Sequence, residues 1–496
     1  MTAATGKLRF WCDMSMECVR RDHTPTLSAG DQRGPFLTAR ALGMALAALN
    51  DAQAVASGRA GLLALAPPPA LVAVGAARAD VAAAAACAQV LRLRYPNQSQ
   101  MLEPAWLNWL DYFNLGAAGS AAEAAGRAFG TLVHQLGITD PVAAAADRYT
   151  PSGAPYSHIT APGQDSQGYA GGNWGKEATP LLATRIANFP PPPGRVSAIS
   201  VNATEHFRKD FEKVHDKGDI NRTPGLPGVR SLAEEVVGVA WGYDGPTELG
   251  TPPRLYLQVV LNVLDRIEAS TPGALQPEDE LAVLAAIGIA MADAAIDAWF
   301  YKYSPLHMMW RPAVGIRQAV PGNGAADPSW LPLGRPDTNG TGQGLTPNFP
   351  AYPSGHATFG GAAFHLLRLF LVEKGVASFD ANGVDDVRFD FVSDEFNGRN
   401  KDAKTLQPRE HITLELDSLW QAIVDNSVSR VFLGVHWQFD GITTRNAAGT
   451  DDEFGLPATP SQLGRTGGVW LGTQIANQLA PRIGVSAATI ALSQTS

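Results

Sequence analysis

Alanine-dense stretches of helical periodicity, separated by long glycine- and proline-rich connections, restrict this chain more than any other feature. Pro35–Asn50 (PFLTARALGMALAALN) and the segments 79–95, 119–137 and 141–149 repeat apolar residues at three- and four-residue intervals, with alanine predominating. Alanine loses no side-chain entropy in a helix, and its small side chain lets helices approach closely. The second half carries helical patterns over 229–242, 253–269, 277–301, 356–374 and 415–440. Alternating β-branched runs bounded by hairpin turns are scarce. The expectation is therefore an all-α protein of two four-helix bundles. The first spans 1–225 with a long loop at 150–195, and the second spans 226–496. The TPGLPG turns mark the division, and a further Gly/Pro loop covers 318–352. Residues 1–35 mix polar, aromatic and turn residues and are expected to run over the surface.

Charge and cysteine content narrow the function classes. The net charge is −9, from 38 basic and 47 acidic side chains, which argues against nucleic acid as a partner. Any site for a small anion must then be a local cluster of cations. Cys12, Cys18 and Cys87 form neither a disulfide framework nor a metal-ligand spacing, and read as buried small residues. The start, MTAATGKLRFWCDM, has no apolar core of a signal peptide, so the default location is cytoplasmic. The apolar run Leu281–Ala292 is closed by Asp293 and reads as a buried helix rather than a membrane span.

Three separated segments carry chemistry. Residues 345–366, LTPNFPAYPSGHATFGGAAFHL, pass from turns into a small-residue helix at Pro353-Ser354-Gly355-His356. Proline at the first helical position and serine beside it are a helix-start signal. Helix starts expose unpaired N–H groups and a positive dipole end, which suits an oxyanion. Gly355 lets an anion near the backbone, and His356 can move protons. On one helix, Ser429, His436 and Asp440 of SVSRVFLGVHWQFDG (427–441) would share a face, with Arg430 beside it. Asp440, four residues after His436, can hold one ring nitrogen and leave the other to ligate. Lys302 and Arg311 sit in an aromatic, apolar setting in WFYKYSPLHMMWRP (299–312), where a buried cation needs an anionic partner. Each motif alone has an ordinary structural explanation. Together they supply three cations, a serine, a helix start and two imidazoles around one tetrahedral oxyanion.

Lys…Arg-Pro, then Pro-Ser-Gly-His, then Ser-Arg-x5-His-x3-Asp resembles the signature shared by vanadium-dependent haloperoxidases and type-2 phosphatidic-acid phosphatases. RRDHT (20–24), GPFLTARALGMALAALNDA (34–52), WGYDGPTELGTPPRLYLQ (241–258) and NFPAYPSGHATFGGA (348–362) look like the fungal-type chloroperoxidase branch. The resemblance implies two four-helix bundles with vanadate in the second. It implies that His436 ligates vanadium through Nε2. Lys302, Arg311, Arg430, Ser354 and the Gly355 amide would hold the oxygens. His356 would be the acid/base group, and Asp244 would pair with Arg430. Trp299 and Phe349 would line the halide side, Phe349 standing where bromoperoxidases carry a second histidine, which suggests a chloroperoxidase-like pocket. The implied partners are hydrogen peroxide, a halide and a small organic acceptor, with no nucleic acid and no membrane span; a homo-oligomer is left open.

One departure bears on Lys302. The family spaces its Lys and Arg seven apart, whereas Lys302 and Arg311 are nine apart, on opposite faces of an ideal helix. A break at Pro305 would let both point inward; otherwise Lys302, the cation expected to polarise bound peroxide, is lost from the site. His307, four residues before Arg311, is a further candidate for the site. Two alternatives stand beside the peroxidase: an acid phosphatase with His436 as nucleophile, and a non-catalytic anion-binding helical protein.

Overall fold

Helices dominate the computed structural model, which describes residues 3–141, 147–195, 204–221, 226, 228–320, 322–342, 346–446, 451–452 and 454–495. In chain order they include α1 (Ala3–Asp22), α2 (Pro35–Ala56), α3 (Ala79–Arg94), α4 (Ser99–Tyr112), α5 (Ala121–Gln135) and α6 (Glu205–Gly218). They continue with α7 (Leu232–Ala240), α8 (Pro252–Ser270), α9 (Pro277–Lys302), α10 (Pro312–Gln318), α11 (Gly355–Glu373), α12 (Leu419–Phe432), α13 (Gln438–Gly441) and α14 (Gly468–Leu479). Among the described residues the strands are two short antiparallel pairs, Phe389–Phe391 with Leu414–Leu416 and Thr444–Arg445 with Asp451–Asp452. The expected helix over 141–149 and the boundary near 225 lie largely outside the described residues.

The small-residue helices pack as closely as their composition implies. α2 crosses α9 at Gly43, where a Cβ would stand 2.7 Å from the Gly288 carbonyl oxygen. Helices from before and after residue 225 are thus packed directly on each other. α14 meets α11 in the same way: a Cβ on Gly472 would stand 2.2 Å from the Thr358 carbonyl oxygen. α9 is long and apolar enough to cross a membrane, with mean hydropathy 1.9, but 94% of that window is buried inside the fold. All three cysteines are buried and unpaired.

The first 35 residues are not a surface covering. Leu8, Trp11, Cys12, Ser15, Cys18 and Val19 put one stripe of α1 into the core, at the three- and four-residue spacing of an amphipathic helix. The helical pattern expected over 415–440 is also broken. α12 stops at Phe432, a turn containing Gly434 (φ +68°) follows, and the four-residue α13 begins at Gln438.

Candidate active site

The start of α11 is the hub. Ser354 is its N-cap and Gly355 its first residue, so Pro353 lies just outside the helix rather than at its first position. The Ser354 hydroxyl accepts from the Ala357 N–H at 3.5 Å, and its own N–H donates to the Asp440 carbonyl at 2.7 Å. That bond ties the Pro-Ser-Gly-His turn to the His436–Asp440 turn. Gly355 and His356 fall in the first turn, where backbone N–H groups have no acceptor within the helix. A Cβ on Gly355 would meet Trp299 at an ordinary 3.5 Å, so the protein itself leaves room there.

His436 and Asp440 pair as expected, although no single helix carries them. Asp440 sits in α13 and accepts both His436 Nδ1–H and the Trp437 N–H at 2.9 Å. His436 Nε2 is then a lone-pair acceptor, and Arg311 Nη1 donates to it at 2.8 Å. Burial, then the charges of Arg311, Lys302 and Arg430, hold the imidazole well below its ordinary pKa. It stays neutral, as a ligand must be. Ser429 is not part of this group: its hydroxyl donates to the Asn426 carbonyl within α12.

The two cations nine residues apart are both inside. α9 ends at Lys302, an irregular stretch containing Pro305 follows, and Arg311 caps α10 with Pro312 at the first position. The helix stops rather than kinks, and Lys302 and Arg311 are 0% and 1% exposed. They flank one ring, Lys302 Nζ at 5.1 Å and Arg311 Cζ at 5.0 Å from the Phe349 centroid. Lys302 Nζ donates to the carbonyls of Pro350, Ala351 and Pro353 at 2.8, 3.1 and 2.5 Å. Burial and the Arg311 charge depress its pKa, but three acceptors need three N–H donors, which only the ammonium offers. Burial lowers Arg311 to about 9, which leaves it charged at neutral pH.

Arg430 is 0% exposed and donates from Nη2 to an Asp244 carboxylate oxygen. Burial would raise the Asp244 carboxyl, but Arg430, His356 and Arg335 together hold it below the ordinary range. His356 Nε2 stands 3.9 Å from Asp244 Oδ1, a neighbour beyond hydrogen-bond reach. Burial first, then Arg430, push His356 down to about 3. Trp299 and Phe349 form an aromatic wall, with centroids 4.8 Å apart.

Three buried cations thus face two buried carboxylates, Asp244 and Asp440. Among the described residues, Arg311 Nη2, Arg430 Nε and Nη1 and His356 Nε2 are buried without a hydrogen-bond partner. Leaving a buried polar group unsatisfied costs about 1–3 kcal/mol, and more for a charged guanidinium. A multiply charged oxyanion beside His436 would satisfy the guanidinium donors.

His307 lies elsewhere. Its Nε2 bonds to the Phe189 carbonyl at 2.8 Å and its ring stacks on Phe189. Two residues absent from the sequence-based set do belong. Arg335, from the 318–352 loop, donates to the Asp244 carbonyl. His158, from the 150–195 loop, is 2% exposed and held neutral by burial and by the Arg311 and Lys302 charges. Neither loop has a periodicity that would have exposed them.

The family described as "VCPO second helical-bundle domain" matches residues 282–450, which include Lys302, Arg311, Arg335, His356, Arg430 and His436 but neither Asp244 nor His158. Vanadium chloroperoxidase of Curvularia inaequalis is 30% identical over 501 residues, covering 89% of this chain and 80% of that protein. The crystal structure of the first bacterial vanadium-dependent iodoperoxidase superposes with a TM-score of 0.59 over 95% of each chain, at 16% identity. That of a holo-type bacterial vanadium-dependent chloroperoxidase gives 0.60 over 94% of this chain and 95% of the other, at 13% identity. At such identities these two establish a shared fold.

Proposed function

The chain belongs to the vanadium haloperoxidase family, and on that premise we propose that it uses vanadate and hydrogen peroxide to oxidise bromide, and chloride as the harder substrate, to a hypohalous species that halogenates small organic acceptors. The carrying observation is the surplus of buried cations around His436, with guanidinium N–H groups of Arg311 and Arg430 left unpaired. The residues fit the cofactor: His436 Nε2 would ligate vanadium, and Arg311, Arg430, Ser354 and the Gly355 amide would hold its oxygens. Lys302 would act through its charge, because its protons are committed to backbone carbonyls. The division near residue 225, with the site in the second part, belongs to the same reading.

Vanadate bound there supplies a Lewis acid that activates peroxide toward halide. The protein's part is positioning and proton handling. Asp440 fixes the His436 tautomer, so the lone pair now meeting Arg311 Nη1 is the one available to a metal. Asp244 orients Arg430 and leaves Nε and Nη1 free. His356, neutral and unpartnered at Nε2, accepts a proton from incoming peroxide. Trp299 and Phe349 keep water from the halide side, and the apolar Phe349 supports a chloroperoxidase-like pocket.

The test is bromination of a phenolic dye with hydrogen peroxide and bromide, before and after addition of orthovanadate. Bromination that requires vanadate is the expected result. Hydrolysis of nitrophenyl phosphate without vanadate-dependent bromination would instead identify a phosphatase with His436 as nucleophile. Silence in both assays would identify a non-catalytic anion binder.

A further inference from the structure

A cavity of about 250 Å³ opens onto Asp244 and Phe349 from outside the oxyanion group. Its far wall comes from the loop between α1 and α2, which supplies His23, Arg33 and Gly34, and from Pro35 at the start of α2. The fully buried Asp22 holds this loop in place, accepting the N–H groups of Asp31 and Gln32 at 2.7 Å. Arg33 lies at the mouth and is exposed, but it is not loose. Its Nε donates to the Asp22 carbonyl at 3.2 Å, and its stem crosses Gly30, where φ is +90° and a Cβ would collide with it.

His23 is 8% exposed. Its Nδ1 lies 2.9 Å from the Val19 carbonyl, which can only accept, so Nδ1 carries the proton and Nε2 the lone pair. That Nε2 is buried without a partner among the described residues. Arg335 faces the same small space: one point, the position of a Cβ on Gly245, is 3.9 Å from both His23 Nε2 and Arg335 Nη1. The rest of the lining sets Pro35, Pro252 and Pro347 beside Phe349 and adds the polar Gln167, Asp244, Thr251 and Asn348. The cavity therefore presents two guanidinium groups, the lone pair of His23 Nε2 and an apolar wall, beside an Asp244 carboxylate that is paired with Arg430. Its volume is below the roughly 300–1,000 Å³ of drug-sized sites, so it suits one ring and not a fused system.

We propose that this cavity is the organic-acceptor subsite and that it selects single-ring phenols bearing a carboxylate, held by Arg33 and Arg335 with the phenolic O–H donated to His23 Nε2. The proposal rests on the haloperoxidase reading for its chemistry. In the transfer step a ring carbon gives its electron pair to the halogen of hypohalous acid. The oxygen–halogen bond breaks with its pair on oxygen, and the departing hydroxide takes the ring proton as water. The hydrogen bond to His23 enriches the ring in electrons and favours that attack.

A one-pot competition between 4-hydroxybenzoate and the neutral, nearly isosteric 4-hydroxybenzamide tests this, with peroxide and bromide limiting. The expected ratio of brominated acid to brominated amide is about tenfold above that given by reagent hypobromous acid, the value of one charge-assisted contact. Arg33→Gln should return the ratio toward the reagent value, and His23→Gln should lower it. A wild-type ratio equal to the reagent's would overturn the proposal, since the oxidant would then react in free solution. A second arm does not depend on turnover: saturation-transfer NMR of 4-hydroxybenzoate with vanadate-treated protein, without peroxide. Binding that is lost in Arg33→Gln supports the subsite; absent binding, or binding indifferent to that change, rejects it. If neither phenol is brominated, the haloperoxidase reading has failed, and the NMR arm alone decides the subsite.

Discussion

Replacing Arg430 with lysine separates the two roles of that side chain. The guanidinium spends Nη2 on Asp244 and keeps Nε and Nη1 buried and unpaired. A lysine ammonium is a point charge on a flexible stem and cannot reproduce this fork. Placed against Asp244, it retains the buried ion pair but offers the oxyanion little. Losing one charge-assisted hydrogen bond to the oxyanion costs about 1.5–3 kcal/mol, or roughly 10- to 150-fold in Kd. The unliganded protein should be affected less, because the ion pair survives and two unsatisfied donors disappear. We expect Arg430→Lys to weaken vanadate binding in equilibrium dialysis by that factor, with a urea-unfolding midpoint close to wild type. A vanadate Kd within twofold of wild type would refute the assignment of Nε and Nη1 to the oxyanion. Equal losses in affinity and stability would show that Arg430 serves the fold alone.

Further outcomes follow from the same geometry. His436→Ala should abolish tight vanadate binding by dialysis, and an unchanged affinity would contradict its role as ligand. His356→Ala should keep vanadate but lose about 10²–10⁴ in bromination rate; a fully active variant would remove its proton-transfer role. Gly472→Ala drives a Cβ toward the Thr358 carbonyl and should destabilise the protein by about 1–3 kcal/mol in urea unfolding. Burial raises Asp425 from 3.8 to about 6. The folded state therefore holds this proton more tightly, and the associated stability is present below pH 3.8 and lost as pH rises through about 6. The loss is at most about 3 kcal/mol. Asp425→Asn should flatten the fall in stability between pH 4 and 7, and an unchanged slope would count against the shift.

What the sequence disclosed was what short-range spacing encodes. Ser354, Gly355 and His356 were legible because a helix start has a local grammar. The His436–Asp440 pair was legible because four residues bring two side chains together in a turn as well as in a helix; the continuous helix inferred around them was not there, and Ser429 fell away with it. His307 failed for a related reason: it shares a face with Arg311 only on a helix, and that stretch is irregular. Lys302 and Arg311 meet because α9 ends at Lys302, ahead of Pro305, which is the break on which the sequence argument made their meeting depend. His158, Arg335 and His23 come from loops whose paths are set by tertiary contacts, so no periodic signal marks them. α1 is different. Its buried stripe was readable at helical spacing, and the polar and aromatic residues between obscured it.

The three carbonyl contacts of Lys302 bear on how fast the protein takes up its cofactor. An ammonium riveted to the Pro350–Pro353 backbone fixes that strand of chain before any anion arrives, so no loop has to fold over the entering oxyanion. The rearrangement left is local, the yielding of Arg311 Nη1 from His436 Nε2. Uptake should then follow a single second-order phase, proportional to vanadate concentration with no plateau, as expected when encounter rather than reorganisation limits association.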